Sequence, residues 1–299
     1  MLKKLINKLF GRIEPSVPVP PVMDILSATR KFEKEEKPKE ISLSREEILE
    51  RLKPTVLKTV KIEATIAHGL SLTTSRFLGD PYLPTGNTYP LDEKQRPMPL
   101  LVQINFAEMP LLEGYPTEGL LQIFLSASTD IDDMYGLNFE NPLPQINHRI
   151  LFHEKIDEKC TQIDIPEIDR WHGDFDFPIT KSHRLDFKLV EEFVPESDFR
   201  HQALWGSGYP SEYDDDFCKN YNELADSSGH KIGGYAYFTQ NDPRSYKNSP
   251  YKDHILLLQI DSVNDDICWG DVGVANWFIR AEDLKNKDFS KVMYHWDCC

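Results

Sequence analysis

The feature that most constrains the fold of this 299-residue chain is a segment that recurs, in diverged form, near the other end of the sequence. Residues 79–106 read GDPYLPTGNTYPLDEKQRPMPLLVQINF, and residues 234–262 read GYAYFTQNDPRSYKNSPYKDHILLLQIDS. The landmarks that align, in order along the chain, are Gly79 with Gly234, Tyr82 with Tyr237, Gln103 with Gln259, Gly119 with Gly273, and Phe124 with Phe278. Their shared order predicts an internal duplication, with pseudo-repeats at about residues 70–130 and 225–290.

Short apolar runs separated by proline, glycine and asparagine predict a mainly β fold of the α+β class, with minor helices. Neither repeat would bury its apolar face alone, so the two β units are expected to share one core around a pseudo-two-fold axis. Side chains alternate along a β-strand, so the predicted strand at residues 100–106 has two faces. One face is formed by Leu100, Val102, Ile104 and Phe106, and the other by Leu101, Gln103 and Asn105.

Helices are predicted at the edges of this β-rich region. Ser44 and Glu47 form a capping-box pattern that opens a helix, and Pro54 ends it. A second helix is predicted within residues 211–229, with Gly229 at its C-terminus.

Residues 1–54 are predicted to be an N-terminal helical and proline-rich extension, and residues 55–299 the domain that contains the pseudo-repeats. Residues 1–13 form a basic amphipathic pattern. Such a helix can dock weakly on an anionic membrane or a partner groove; the alternative is a terminal helix that packs on its own domain or frays. A proline-rich spacer at residues 14–22 is expected to be extended.

Charge is divided unevenly along the chain. Residues 1–54 carry twelve Lys and Arg against nine Asp and Glu, whereas residues 55–299 carry 22 against 40. An acidic body of this kind repels nucleic acid and anionic membranes, so no nucleic-acid partner is expected.

Cysteine usage and hydropathy predict a cytoplasmic protein without integral membrane association. The five cysteines include no Cys-x-x-Cys pair, which argues against a zinc ribbon or a disulfide framework and favours a reducing compartment. No apolar run approaches the roughly 20 residues of a membrane-spanning helix, and the N-terminus lacks the pattern of a signal peptide. No cofactor and no metal site are expected.

Local motifs of common enzyme classes are missing from the sequence. It contains no Gly-x-Ser-x-Gly elbow, no phosphate-binding loop, no Gly-x-Gly-x-x-Gly after a strand and no His-Glu-x-x-His. Catalytic groups need not be adjacent in sequence, so an enzyme stays open but is less favoured than a binding protein.

Seven motifs follow one another over roughly residues 70–299. They are GDPYLPTGNTYP, PLLVQINFAEMP, EGLLQIF, KIGGYAYFTQNDPR, LLLQIDS, WGDVGVANWFI and DFSKVMYHWDC. In this order they resemble the YwqG-like family of uncharacterised bacterial proteins. The resemblance implies a mainly β, internally duplicated cytoplasmic domain, and it implies no activity, cofactor or catalytic residue. One departure is Leu78-Gly79, where the family typically has Gly-Gly before the first tyrosine.

The stretch CWGDVGVANWF (residues 268–278) supplies Trp269, Asp271 and Asn276 as candidate ligand-binding residues. An aromatic platform beside a carboxylate and an amide can hold a sugar, a peptide or a base. The alternative is a tight turn in which Asp271 bonds its own backbone toward Gly273 while the tryptophans pack in the core.

Four further candidates are Trp296 and Asp297 in the tail YHWDCC, and Gln103 and Gln259 on the two matched strands. One short cluster cannot supply a tetrahedral metal site, so the tail is better explained as a final strand that Trp296 anchors. The glutamines either line a shared cleft or hold the loops of their own repeats.

These patterns predict a cytoplasmic binding or interaction module that recognises a protein, peptide or small ligand through loops around the repeats. The alternative is a hydrolase-like enzyme that uses carboxylates such as Asp271 and Asp297 in a cleft between the repeats. The sequence specifies neither catalytic residues nor an oligomeric state.

Overall fold

The fold is described by a computed structural model that covers residues 43–128, 134–138, 140–168, 177–201, 204 and 215–298. The predicted amphipathic helix at residues 1–13 and the proline-rich spacer at residues 14–22 lie outside the described residues.

Ten β-strands and three α-helices occur in the described part of the chain. The strands are β1 (Leu57–Ile66), β2 (Arg76–Phe77), β3 (Leu100–Asn105), β4 (Leu120–Leu125), β5 (His148–His153), β6 (His183–Glu192), β7 (Lys231–Gly233), β8 (His254–Asp261), β9 (Val274–Arg280) and β10 (Met293–Asp297). The helices are α1 (Arg45–Leu52), α2 (Asp215–Leu224) and α3 (Ala281–Lys285). The mainly β class with minor helices is confirmed.

The capping box that opens α1 is confirmed. Ser44 Oγ accepts a hydrogen bond from the Glu47 N–H, and the Glu47 carboxylate accepts one from the Ser44 N–H at 2.9 Å. The predicted end of α2 is wrong, because the helix ends at Leu224 rather than at Gly229. Gly229 lies in the turn before β7 with a φ of +87°, a backbone region that glycine adopts readily.

The helices α1 and α2 pack together in a small cluster of their own. Ile48 and Leu52 of α1 are fully buried against Phe217 and Tyr221 of α2. None of the described helices is long and apolar enough to cross a membrane.

All ten strands form one antiparallel sheet in the order β10-β9-β8-β7-β1-β6-β2-β3-β4-β5. The order is symmetric about its centre, where β1 and β6 pair along their whole lengths. The four strands that follow β1 in the chain lie beyond β6, and the four that follow β6 lie beyond β1. Consequently β1 pairs with β7, and β6 pairs with β2. Neither half completes its part of the sheet without a strand from the other half.

The same irregularity interrupts equivalent strands in both halves. The β3–β4 pairing shifts between Leu100 and Val102, and the β8–β9 pairing shifts between Leu256 and Leu258. As a result Leu101 joins Val102 in the main core, whereas Leu100 packs in a separate cluster. The predicted strict alternation is wrong here, because a bulge reverses the direction of the side chains that follow it. The symmetric order and the matched bulges agree with an internal duplication, which stays a prediction.

One core draws on both halves of the curled sheet. Val102 and Ile123 from the first half belong to the same buried cluster as Leu258 and Trp277 from the second. The outer faces of these strands are covered by the loops that precede β3 and β8. Leu83, Tyr89 and Met98 cover Leu100 and Phe124 in the first half, and Ala236 and Phe238 cover Leu256 and Phe278 in the second.

Residues 134–138 and 140–147, called here the closing segment, fill the gap between the edge strands β5 and β10. The Trp296 Nε1 donates to the Met134 carbonyl at 3.3 Å, and the Tyr294 N–H donates to the Pro142 carbonyl at 3.3 Å. Across the same gap, the His148 ring of β5 lies 5.2 Å from the Tyr294 ring of β10. The two ends of the sheet therefore meet through this segment.

Candidate functional site

The candidate Gln103 holds a loop of its own half of the sheet. Its Oε1 accepts from the Tyr82 N–H at 3.1 Å, and its Nε2 donates to the carbonyls of Leu72 and Thr74 at 2.7 and 3.0 Å. Its side chain is fully buried. A buried amide with three backbone partners fixes the position of the segments that it joins.

Gln259 repeats this arrangement in the second half. Its Oε1 accepts from the Tyr237 N–H at 2.8 Å, and its Nε2 donates to the carbonyls of Ser227 and Gly229 at 2.9 and 2.8 Å. The candidate Asn276 joins the same network, because its Nδ2 donates to the Tyr237 carbonyl at 2.9 Å. Both side chains are fully buried, so the structure brings these two candidates together around one loop tyrosine and away from solvent.

Trp269, Trp277 and Trp296, in the last third of the chain, form an aromatic cluster in the core. Trp269 and Trp277 have no exposed surface, and their ring centroids are 6.2 Å apart. Trp296 lies 6.5 Å from Trp269 between ring centroids and is 7% exposed. In this structure none of these rings presents an open face to a ligand.

The two candidate carboxylates lie in different environments. Asp271 is exposed in the turn before β9. Asp297 is buried and accepts from the N–H groups of Thr239 and Gln240 at 3.3 and 2.9 Å. Burial raises the pKa of Asp297, and the backbone hydrogen bonds offset part of that increase. Asp297 therefore anchors the outer loop of its own half, whereas Asp271 has free access to solvent.

Other charged groups are buried in pairs. Lys231 Nζ lies 2.9 Å from the Glu192 carboxylate, and the Tyr235 N–H donates to the same carboxylate. Burial raises the pKa of Glu192 and lowers the pKa of Lys231. Neither side chain is more than 4% exposed, so the pair connects β6 to β7 and offers no surface to a ligand.

A groove of about 500 Å³ lies where the two ends of the sheet meet. Its walls are Arg149, Ile150 and Phe152 of β5 on one side and Lys287, Phe289 and Ser290, which follow α3, on the other. Gln145 of the closing segment spans it: the Ile150 N–H donates to Gln145 Oε1 at 2.8 Å, and Gln145 Nε2 donates to the Phe289 carbonyl at 2.7 Å. Both halves of the chain therefore contribute to the groove.

An aromatic wall lines the groove. The rings of Phe152 and Phe289 are 5.0 Å apart, and Phe106 lies 6.2 Å behind Phe152. A Cβ added to Gly119 would lie 2.6 Å from the tip of the Phe152 ring. The absence of a side chain at Gly119 therefore makes space for this ring. Phe152 is thus held in place by its neighbours before any ligand arrives.

Arg149 lines the groove with an incompletely satisfied guanidinium group. Its Nε is buried and has no hydrogen-bond partner among the described residues. Lys287 is already ion-paired with Glu154, and the Asp288 carboxylate accepts from the Ser290 N–H at 3.0 Å. Hydrogen bonds from these partners lower the pKa of Glu154 and of Asp288, so both carboxylates stay ionised at neutral pH.

The groove could not be predicted from sequence patterns. Phe289 and Ser290 belong to the motif DFSKVMYHWDC, which carries part of the family resemblance, but Arg149 and Phe152 lie in a strand of the other half. Only the meeting of the sheet ends brings them together. Among the described residues, no group of three or more His, Cys, Asp or Glu side chains is placed to hold a metal ion.

Comparison with protein families gives one match. Residues 75–298 match the family model described as "Domain of unknown function (DUF1963)". No curated protein matches the chain significantly.

Proposed function

Because the chain belongs to the family described as a domain of unknown function (DUF1963), we propose its function from the groove alone: the protein is a binding module for a ligand with a carboxylate and an apolar group. The ligand is a peptide or a small molecule. Two observations support the proposal: the Arg149 Nε is buried and has no hydrogen-bond partner among the described residues, and the packed rings of Phe152 and Phe289 line the same groove.

A groove lined by an arginine and by ordered aromatic rings suits this ligand class. Arg149 can donate two parallel hydrogen bonds to a carboxylate, which gives orientation as well as affinity. The rings supply an apolar surface that is already ordered, so a ligand loses little free energy in arranging them.

The hydrolase alternative has less support from the geometry. It relies on Asp271 and Asp297 acting together, yet Asp297 is buried and occupied by two backbone N–H groups while Asp271 is exposed. We also propose that the chain is YwqG-like within this family, that it is cytoplasmic, and that residues 1–13 dock weakly on a membrane or partner.

The test is a titration of the full chain with N-acetylphenylalanine, a small carboxylate with an aromatic group. We expect saturable binding at millimolar concentrations, with Arg149→Gln weakening it about tenfold or more, as the loss of a charge-assisted hydrogen bond predicts. Arg184→Gln is the matched control, because Arg184 is exposed on β6 and pairs only at 3.3 Å with Asp186. Absence of binding, or equal binding by Arg149→Gln, would overturn the proposal.

The variant Lys287→Gly is expected to affect ligand affinity and protein stability in different directions. Lys287 has a φ of +57°, a left-handed conformation that costs a residue with a Cβ roughly 1 kcal/mol more than glycine. We expect the variant to keep or raise its melting temperature while its affinity for N-acetylphenylalanine falls, because the groove loses a cation. Unchanged affinity would show that the ligand does not reach this wall.

A further inference from the structure

The outer edge of β5 carries backbone groups that face away from the sheet. β5 pairs with β4 and forms one end of the strand order. The Ser126 N–H donates to the Asn147 carbonyl at 2.8 Å, so residue 147 and every second residue after it direct their backbone groups toward β4. By the same alternation, Ile150 and Phe152 direct their N–H and carbonyl groups outward, into the groove.

The Gln145 side chain already behaves like part of an added strand. Its amide accepts from the outward Ile150 N–H and donates to the Phe289 carbonyl on the opposite wall. A peptide group placed between these walls would make the same two hydrogen bonds, because a side-chain amide and a backbone amide have the same donor and acceptor. The gap between the walls is therefore one peptide unit wide.

We propose that the groove binds an extended peptide with an acidic side chain, which adds as a strand to the outer edge of β5 and replaces the amide of Gln145. This inference rests on the proposed function and names the ligand within it. Edge addition supplies affinity through main-chain hydrogen bonds, while alternate side chains enter pockets that select the sequence.

The side chains around the edge specify what the peptide carries. An acidic residue faces Arg149, whose Nε is unpaired among the described residues. A β-branched or aromatic residue packs on Phe152 and Phe289. Ile146, beside Gln145 on the closing segment, is 48% exposed and offers a further apolar contact at the rim.

The first experiment compares two peptides on the unchanged full-length protein. The probe is the blocked pentapeptide acetyl-Val-Glu-Val-Glu-Val-amide, and its partner is the same peptide N-methylated at its alternate amides. N-methylation keeps the side chains and removes strand hydrogen bonds, so we expect at least a tenfold loss of affinity. The probe should also slow amide hydrogen exchange at Phe152, and N-acetylphenylalanine should not.

The outcomes separate this inference from the proposed function. If N-acetylphenylalanine binds in an Arg149-dependent way but the two peptides bind equally, edge addition is wrong and the groove proposal stands. If neither N-acetylphenylalanine nor peptide binds, the groove proposal fails as well.

A variant tests the replacement of Gln145. Gln145→Ala vacates the position that the peptide amide would take, so we expect it to bind the probe severalfold more tightly, although its melting temperature falls with the loss of two hydrogen bonds. Equal or weaker binding of the probe by a folded Gln145→Ala protein would overturn the replacement.

Discussion

At the scale of single residues, buried amides keep the outer loops in place. Gln259 satisfies one N–H and two carbonyl groups of the backbone, and a leucine of similar size satisfies none. We therefore expect Gln259→Leu to lower the free energy of unfolding by about 2–4 kcal/mol, because the Tyr237 N–H and two carbonyls lose their hydrogen bonds to the buried Gln259 amide. Urea denaturation measures the change.

Gln240→Leu is the control for this prediction. Gln240 is exposed and makes one side-chain hydrogen bond, to the Cys298 carbonyl. Its replacement should change stability by less than about 0.5 kcal/mol. If both variants lost the same stability, the buried network would not be the cause.

At the scale of elements, two glycines let the edge strands pass close to their neighbours. A Cβ on Gly273, just before β9, would overlap the Asp297 carbonyl oxygen of β10, whereas a Cβ on Gly119 would meet the side-chain ring of Phe152. A carbonyl within a paired strand cannot move without disturbing the hydrogen bonds of that pairing. We expect Gly273→Ala to cost about 2–3 kcal/mol and to increase hydrogen exchange along β10.

Gly69→Ala separates steric overlap from backbone strain. Gly69 has a φ of +66° and open space around its Cα, so alanine there should cost about 1 kcal/mol from the left-handed backbone alone. A loss at Gly273 no larger than this would mean that β10 shifts without penalty.

At the scale of the whole molecule, three buried histidines predict sensitivity to acid. Burial lowers the pKa of His148, His230 and His295 to about 4. In the unfolded chain these groups titrate near 6.5, so between pH 6.5 and 4 the unfolded state binds more protons than the folded state. Stability is therefore fully present above pH 6.5 and falls as the pH drops toward 4, by up to about 1.4 kcal/mol per pH unit for each histidine.

The measurement is the free energy of unfolding at pH 6.5, 5.5 and 4.5. His230→Gln should flatten the pH dependence, because glutamine can still accept from the Asp261 N–H but cannot titrate. His68→Gln, at an exposed position, is the control for replacing a histidine by glutamine. The buried carboxylates Glu192 and Asp261 act in the opposite sense, because burial raises the pKa of each, so wild-type and variant curves must be compared at each pH.

Local sequence patterns predicted much of the fold. The capping box at Ser44 depends on residues three apart, and the strand character of β3 and β8 depends on apolar runs bounded by turn residues. Two predictions were wrong. The helix α2 ends at Leu224, before the turn that contains Gly229, and a bulge places Leu100 in a different cluster from Val102. The burial of Trp269 could not be read from its motif, since the same residues suit a ligand platform or a core.

The sequence by itself determined the mainly β class and placed Gln103 and Gln259 on strands, because periodicity and turn chemistry are local properties. Only the tertiary structure decided that β1 pairs with β7, that β6 pairs with β2, and that the two sheet ends meet. The groove depends on that meeting, because Arg149 and Phe289 lie far apart in the chain and come together only when the sheet curls and the closing segment joins its edges. Long-range strand pairing is set by the burial of the whole core, which no short stretch of sequence specifies.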